Sequence, residues 1–193
     1  YITLFSLNMI MNETLVLPSG RWYYLTNAKS IQLDLPIPHE QMLLEAKRLR
    51  EHFIPYRIDE EYGSLHKGWY SLPIHGLNDH SPECWTSYPE FSCGRDAAPF
   101  YKWTTFAEQC PVTVGWLKNV FPSNFYGRVR FMLLESGGFI GPHKDQDESV
   151  VEPVNIALSN HHDCIWKWGD GDVLHFKPGD VRAMNISHIH SVE

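Results

Sequence analysis

The sequence predicts a mainly β protein, a sandwich or jelly-roll barrel with a few packing α-helices. Three observations predict it. Beyond residue 127 the chain runs through short apolar stretches, each closed by Gly, Pro, Asn or Asp, the punctuation of an all-β domain. Val151 to Ser159 alternates, with Val154, Ile156 and Leu158 on one face and Asn155, Ala157 and Ser159 on the other, which is the period of a strand. Only Pro38 to Phe53 and Pro111 to Phe121 carry a helical period.

The elements follow in chain order. Tyr1 to Met11 is apolar but too short to span a bilayer and has no basic flank, so an edge strand is expected. Thr14 to Leu17 and Arg21 to Leu25 around Pro18-Ser19-Gly20 read as a hairpin. In Pro38 to Phe53, Met42, Leu43, Ala46, Leu49 and Phe53 form one stripe, while Glu45, Lys47, Arg48 and Glu51 lie elsewhere. His75 to Tyr101, rich in Pro, Ser, Gly and aromatics, reads as a long loop of the kind that forms lids or binding segments. Pro111 opens the second helix, which carries Val114, Leu117 and Phe121.

Arg128 to Glu135 reads as a mostly buried strand and Ser136-Gly137-Gly138 as a turn, with Phe139-Ile140-Gly141-Pro142 leading into His143. Val151 to Ser159, Cys164 to Trp168, Gly171 to Phe176, Val181 to Asn185 and Ile189 to Val192 complete the strands. No repeat, low-complexity tract or linker interrupts the chain. One domain over residues 1–193 is therefore expected, with 1–126 as an N-terminal wrapper and 127–193 as the core.

Composition narrows the function class. The net charge is −7 with a pI near 5.9, and there is no Lys/Arg cluster, which argues against nucleic acid as a partner. Nothing in the chain reads as a membrane span. Cys84, Cys93, Cys110 and Cys164 contain no Cys-x-x-Cys pair. They read as reduced thiols of a cytoplasmic protein, not a disulfide framework or zinc site.

The chemistry is carried by His143-Lys144-Asp145, followed 47 residues later (190 − 143) by His190. Two imidazoles and one carboxylate make a facial metal triad, which leaves three sites of an octahedral Fe(II) open for a cosubstrate and dioxygen. A His-x-Asp triplet by itself is expected by chance about once in a chain of this composition. A second copy stands at His161-His162-Asp163. Context separates the two: His143 and Asp145 follow a buried strand and share one face, and about four strands later the barrel returns His190 to the same rim. From His161 only 29 residues remain to His190 (190 − 161), a hairpin too few, so a solvated turn is expected there. His188 and His190 would point the same way from a strand, and periodicity does not choose between them. His175 and the histidines upstream of residue 81 lack any comparable spacing.

Phe131 to Glu193 resembles the catalytic core of the aspartyl/asparaginyl β-hydroxylase family, within the 2-oxoglutarate/Fe(II)-dependent dioxygenases. The matching stretches are Glu135-Ser-Gly-Gly-Phe-Ile-Gly-Pro-His143 and Gly179-Asp-Val-Arg-Ala-Met-Asn-Ile-Ser-His-Ile-His190-Ser-Val. Upstream, Gly68-Trp69-Tyr70-Ser71-Leu72-Pro73-Ile74-His75-Gly76 is similar to a Trp…Leu…Gly strand before that core. Asp145 makes the chain more similar to the bacterial free-proline hydroxylases than to animal members, which lack the carboxylate ligand.

The resemblance implies a double-stranded β-helix core and a hydroxylase of an amino-acid side chain, free or in a polypeptide. It implies Fe(II) on His143, Asp145 and His190, with 2-oxoglutarate as cosubstrate, O₂ consumed, and succinate and CO₂ released. In place of His188 it favours His190, which Ser191-Val192 follow. Such enzymes hold the distal carboxylate of 2-oxoglutarate on an Arg several residues past the distal His, and only three residues follow His190 in this sequence (193 − 190). That Arg is expected beyond Glu193; if none follows, Arg130, Arg182, Lys144 and Lys167 are the candidates, Arg130 first, because alternation can turn it inward. Tyr126 and Asn155 are further pocket candidates. Two other classes remain open: a cupin-like metalloprotein that uses no 2-oxoglutarate, and a non-catalytic β-sandwich binding module.

Overall fold

The computed structural model describes residues 2–5, 28–57, 65–80, 100–122, 126–145, 153–160 and 162–193. The expected hairpin of residues 14–25, most of the 75–101 loop, and Cys84 and Cys93 lie outside them. Eleven strands and three short α-helices are described. In chain order these are β1 (Ile2–Phe5), β2 (Ser30–Gln32), α1 (His39–Arg48), a 3-10 turn (Arg50–His52), β3 (Ile54–Pro55), β4 (His66–Gly76), β5 (Lys102–Trp103), α2 (Thr105–Glu108), α3 (Pro111–Val120), β6 (Val129–His143), β7 (Val154–Ser159), β8 (Trp166–Trp168), β9 (Val173–Leu174), β10 (Val181–Met184) and β11 (His190–Val192). The mainly β class is as expected.

β6 organises the sheet. Along one edge it pairs with β4 over both halves: Ile140 and Phe139 against His66 and Lys67, then Leu134 to Val129 against Trp69 to His75. Its other edge is shared, Leu133 to Arg130 pairing with β1 and His143 and Ile140 with β11. Two leaves therefore diverge from one strand, β1-β7-β10-β2 from one end and β11-β8-β9 from the other, all antiparallel. This is a jelly-roll arrangement.

Two expectations are corrected here. Ser136-Gly137-Gly138 is not a turn between strands but lies inside β6. Between Lys67 and Trp69 the partner strand advances two residues (69 − 67) while β6 advances five (139 − 134), so the strand bulges outward. Gly137 takes φ +71, and a Cβ on Gly138 would sit 2.7 Å from the Lys67 carbonyl oxygen, so both glycines are needed. The second correction concerns β1, which is no edge strand but lies between β6 and β7. With β4 also against β6, the N-terminal part supplies strands to the core sheet and is more than a wrapper.

Side-chain alternation divides the interior in two. Phe131 and Leu133 of β6 and Val154, Ile156 and Leu158 of β7 face α1 and α3, where Met42, Ala46, Leu49, Leu117 and Phe121 meet them. Each of these buried side chains larger than Ala46 contributes about 1.5–3 kcal/mol. Leu134, Ala157 and Met184 face the other way, with Trp166, Trp168, Phe176 and Val192, into the space between the leaves. The helix layer is fastened by Glu45 of α1. Its carboxylate accepts from Val112 N (2.8 Å), Thr113 N (3.0 Å) and Thr113 Oγ1 (2.7 Å), satisfying donors that the first turn of α3 leaves open. Cys110 and Cys164 are free thiols. Among the described residues no helix is long and apolar enough to cross a membrane.

Candidate metal centre

The register of β6 and β11 sets His190 directly opposite His143. Asp145 follows β6 and is tied back by its backbone N–H, which donates to the Ile186 carbonyl at 3.2 Å. One ligand atom from each of His143, Asp145 and His190 lies within 4.8 Å of the others. Asp145 Oδ2 is 3.5 Å from His143 Nε2 and 3.6 Å from His190 Nε2. The side chains are 14 %, 28 % and 2 % exposed for His143, Asp145 and His190, so the cluster is closed on the His190 side and opens past Asp145.

Tautomers give this geometry its meaning. His143 Nδ1 is 2.8 Å from the Gly141 carbonyl oxygen, and His190 Nδ1 is 2.8 Å from that of His188. A carbonyl only accepts, so each Nδ1 carries a proton, and in its neutral form each imidazole presents an Nε2 lone pair. Both lone pairs face a carboxylate oxygen. The separations exceed the hydrogen-bond range and lie a few tenths of an ångström outside the roughly 3.0–3.4 Å between ligands about 2.1 Å from a shared ion. Converging lone pairs repel one another unless a proton or a metal cation sits among them. Two imidazoles and one carboxylate are the donor set of a divalent transition metal, and the residues fit such an ion. Burial alone would raise the Asp145 carboxyl, but His143 and His190, where they carry a proton toward it, and the Arg57 guanidinium outweigh burial and hold it well below 3.8. It is ionised across the neutral range.

The surroundings orient the ligands. Trp166 lies flat on His190, with centroids 4.7 Å apart and planes at 8°. His66 stands edge-on to His143 at 5.4 Å. Burial, then His143 and Arg57, push its pKa down to about 4, so at neutral pH it adds no charge. Arg57 donates to Asp145 Oδ1 at 3.1 Å. Beside it lies Tyr56, whose phenol burial would raise and Arg130, Arg57 and Arg128 together lower; the Arg130 guanidinium lies 4.8 Å from the Tyr56 ring centroid.

The other expected residues separate. Arg130 pairs with Phe5, Phe5 with Asn155, and Asn155 with Arg182, one rung across four strands. Alternation from Leu134, Ala157 and Met184 puts the side chains of Arg130, Asn155 and Arg182 on the inner face. Asn155 is fully buried, and among the described residues neither its amide N nor its O has a hydrogen-bond partner. Arg182 donates to Ser30 Oγ through one terminal nitrogen at 3.3 Å, while its buried Nε has no partner. Tyr126, expected in the pocket, is placed in the helix-side core instead: its hydroxyl donates to the Phe121 carbonyl at 3.0 Å and its ring lies 5.2 Å from that of Trp103. Lys167 pairs with exposed Glu193, and Lys144 is exposed.

His188 contributes its carbonyl, not its ring, which stands edge-on to Trp168. In the second triplet, His162 and Asp163 form an exposed pair at 3.1 Å, and His161 lies outside the described residues. Sequence reasoning missed Tyr56, Arg57 and His66, for they reach the site only through the pairing of β3, β4 and β6.

No match is found among curated proteins. The profile of the family described as aspartyl/asparaginyl beta-hydroxylase matches residues 39–193, or 155 of 193 positions (193 − 39 + 1). That span holds β6, β11 and all three clustered side chains. By this match the chain belongs to the aspartyl/asparaginyl beta-hydroxylase family.

Proposed function

We propose that the chain is an Fe(II)- and 2-oxoglutarate-dependent dioxygenase that hydroxylates an amino-acid side chain, free or within a polypeptide. Membership of a hydroxylase family supports an oxidoreductase. The observation that carries the finer reading is the convergence of two imidazole nitrogens and one carboxylate oxygen within 4.8 Å, with each Nδ1 turned to a backbone carbonyl.

His143, Asp145 and His190 would hold the iron through one face. When bound, Fe(II) with 2-oxoglutarate and O₂ supplies the oxidative chemistry that hydroxylates a C–H bond and releases succinate and CO₂. The protein's part is binding and orientation. The Gly141 and His188 carbonyls fix the imidazole tautomers. Trp166 closes the His190 side against water. The inner rung of Arg130, Asn155 and Arg182 suits the distal carboxylate of the cosubstrate: two guanidiniums neutralise it, and the Asn155 amide gains the partner it lacks.

The test is an anaerobic titration with Fe(II) and then 2-oxoglutarate. A visible band should appear only when both are present, and succinate should form once O₂ and a substrate amino acid or peptide are added. His143→Ala should abolish both band and succinate. Metal uptake with no 2-oxoglutarate-dependent band would replace this reading by a cupin-like metalloprotein. No stoichiometric metal uptake would leave a binding module.

A further inference from the structure

We propose that Arg57 is a positioning residue that keeps the carboxylate ligand one-armed. Its guanidinium occupies Asp145 Oδ1, so that Oδ2 alone is offered to the metal and the coordination positions opposite the triad stay open. The inference rests on the metal reading above and adds a determinant of cosubstrate entry.

The two oxygens of Asp145 have different surroundings. Oδ2 faces His143 Nε2 at 3.5 Å and His190 Nε2 at 3.6 Å, whereas Oδ1 accepts from Arg57 at 3.1 Å. A carboxylate can grip a cation with both oxygens. If Asp145 did so, the ligand set would take four positions and leave two, one short of what a bidentate 2-oxo acid and O₂ require. An N–H bonded to Oδ1 opposes that rotation.

Nor is the contact an ordinary surface ion pair, whose worth would be slight. Arg57 is 14 % exposed at its side chain, and its guanidinium carbon lies 5.6 Å from the Tyr56 ring centroid and 5.7 Å from that of Trp69. Those rings meet edge to face at 4.4 Å, and the Tyr56 N–H donates to the Trp69 carbonyl at 2.8 Å, pinning the segment to β4. Among the described residues Arg57 is the one non-glycine with positive φ, at 53°. A strained backbone persists where surrounding contacts over-determine it, and here they aim one side chain at the back of a metal ligand.

The charges make the expected outcome specific. A guanidinium beside a dication weakens metal binding electrostatically, so Arg57 is not there to raise metal affinity. Arg57→Met should bind Co(II), a redox-stable probe, as tightly as the wild type or more so. Its visible Co(II) spectrum should change as the second oxygen enters. Its affinity for 2-oxoglutarate, measured by calorimetry on the Co(II) protein, should fall about tenfold or more. Arg57→Lys retains a cation able to donate to Asp145 Oδ1, and should restore the wild-type spectrum and much of the 2-oxoglutarate affinity.

Two results overturn the proposal. One is an Arg57→Met protein whose Co(II) spectrum and 2-oxoglutarate affinity match the wild type. The other is loss of Co(II) binding itself, in Arg57→Met or, should that variant not fold, in a folded Arg57→Lys. If the wild-type protein binds no Co(II), the metal reading fails before Arg57 is tested.

Discussion

The two sides of β6 handle buried polar groups in opposite ways. On the helix side, the Glu45 carboxylate accepts from three donors, Thr104 Oγ1 donates to the Pro73 carbonyl at 2.8 Å, and His75 Nδ1 lies 2.8 Å from the Gly127 carbonyl oxygen. On the inner side, Ser71 Oγ, both amide atoms of Asn155, Trp166 Nε1 and Arg182 Nε are buried without a hydrogen-bond partner. An orphaned buried polar atom costs about 1–3 kcal/mol, and such atoms are normally few. Among the described residues several such atoms gather on the inner face, while the helix-side groups named here are matched. On the function proposed above, the difference separates a face built for stability from one left for a ligand.

The sharpest way to break this contrast is to remove Glu45. Glu45→Ala leaves the Val112 and Thr113 donors of α3 unmatched in a site only 5 % exposed, and should lower unfolding stability by about 2–3 kcal/mol. Chemical denaturation measures it, and Mn(II) affinity at the triad should not move. A loss below about 0.5 kcal/mol would mean that water replaces the carboxylate and that the helix side is less complete than its hydrogen bonds indicate.

Across β6 the same kind of change should have the opposite effect. Asn155→Leu removes two unmatched atoms from the inner face at similar volume, so stability should hold or rise by about 1 kcal/mol. In exchange, 2-oxoglutarate binding to the metal-loaded protein should weaken about tenfold, the worth of one hydrogen bond to a charged group. If stability falls as in Glu45→Ala, Asn155 has a structural partner and the inner face is not a vacant ligand surface.

How far this division was legible in the sequence follows from which signals are local. The alternation in β7 already placed Asn155 opposite Ile156, and the spacing of His143 and Asp145 put both on one side of a strand. What bound them to His190 was a strand count, and β11 does return to β6. Glycine cues failed at Ser136 to Gly138, because a turn and a bulge ask for the same backbone freedom. Tyr126 was misplaced because a buried Tyr hydroxyl, with one partner to find, suits a core as well as a pocket. Arg57 meets Asp145 across 88 positions of sequence, and nothing local to either residue announces the other. The rung from Arg130 to Arg182 likewise needs β1 between β6 and β7, a strand order that no short-range pattern encodes.

The smallest predicted effect uses histidine to compare the two sides again. Burial lowers the His75 pKa from 6.5, outweighing the Gly127 carbonyl that supports the charged form. Between its folded value and 6.5 the unfolded chain binds a proton that the folded protein refuses, so stability rises with pH in that window. It should be fully present above pH 6.5 and decline as the pH falls below it. His66 on the inner side acts in the same sense down to about 4, so both faces contribute to the slope. His75→Gln keeps a donor for Gly127 but cannot be charged, and should flatten the slope of the metal-free protein without abolishing it. Denaturation midpoints between pH 5 and 8 read the difference directly. A His75→Gln slope equal to that of the wild type would show that water reaches the helix-side core and that its closure, one half of the comparison, does not hold.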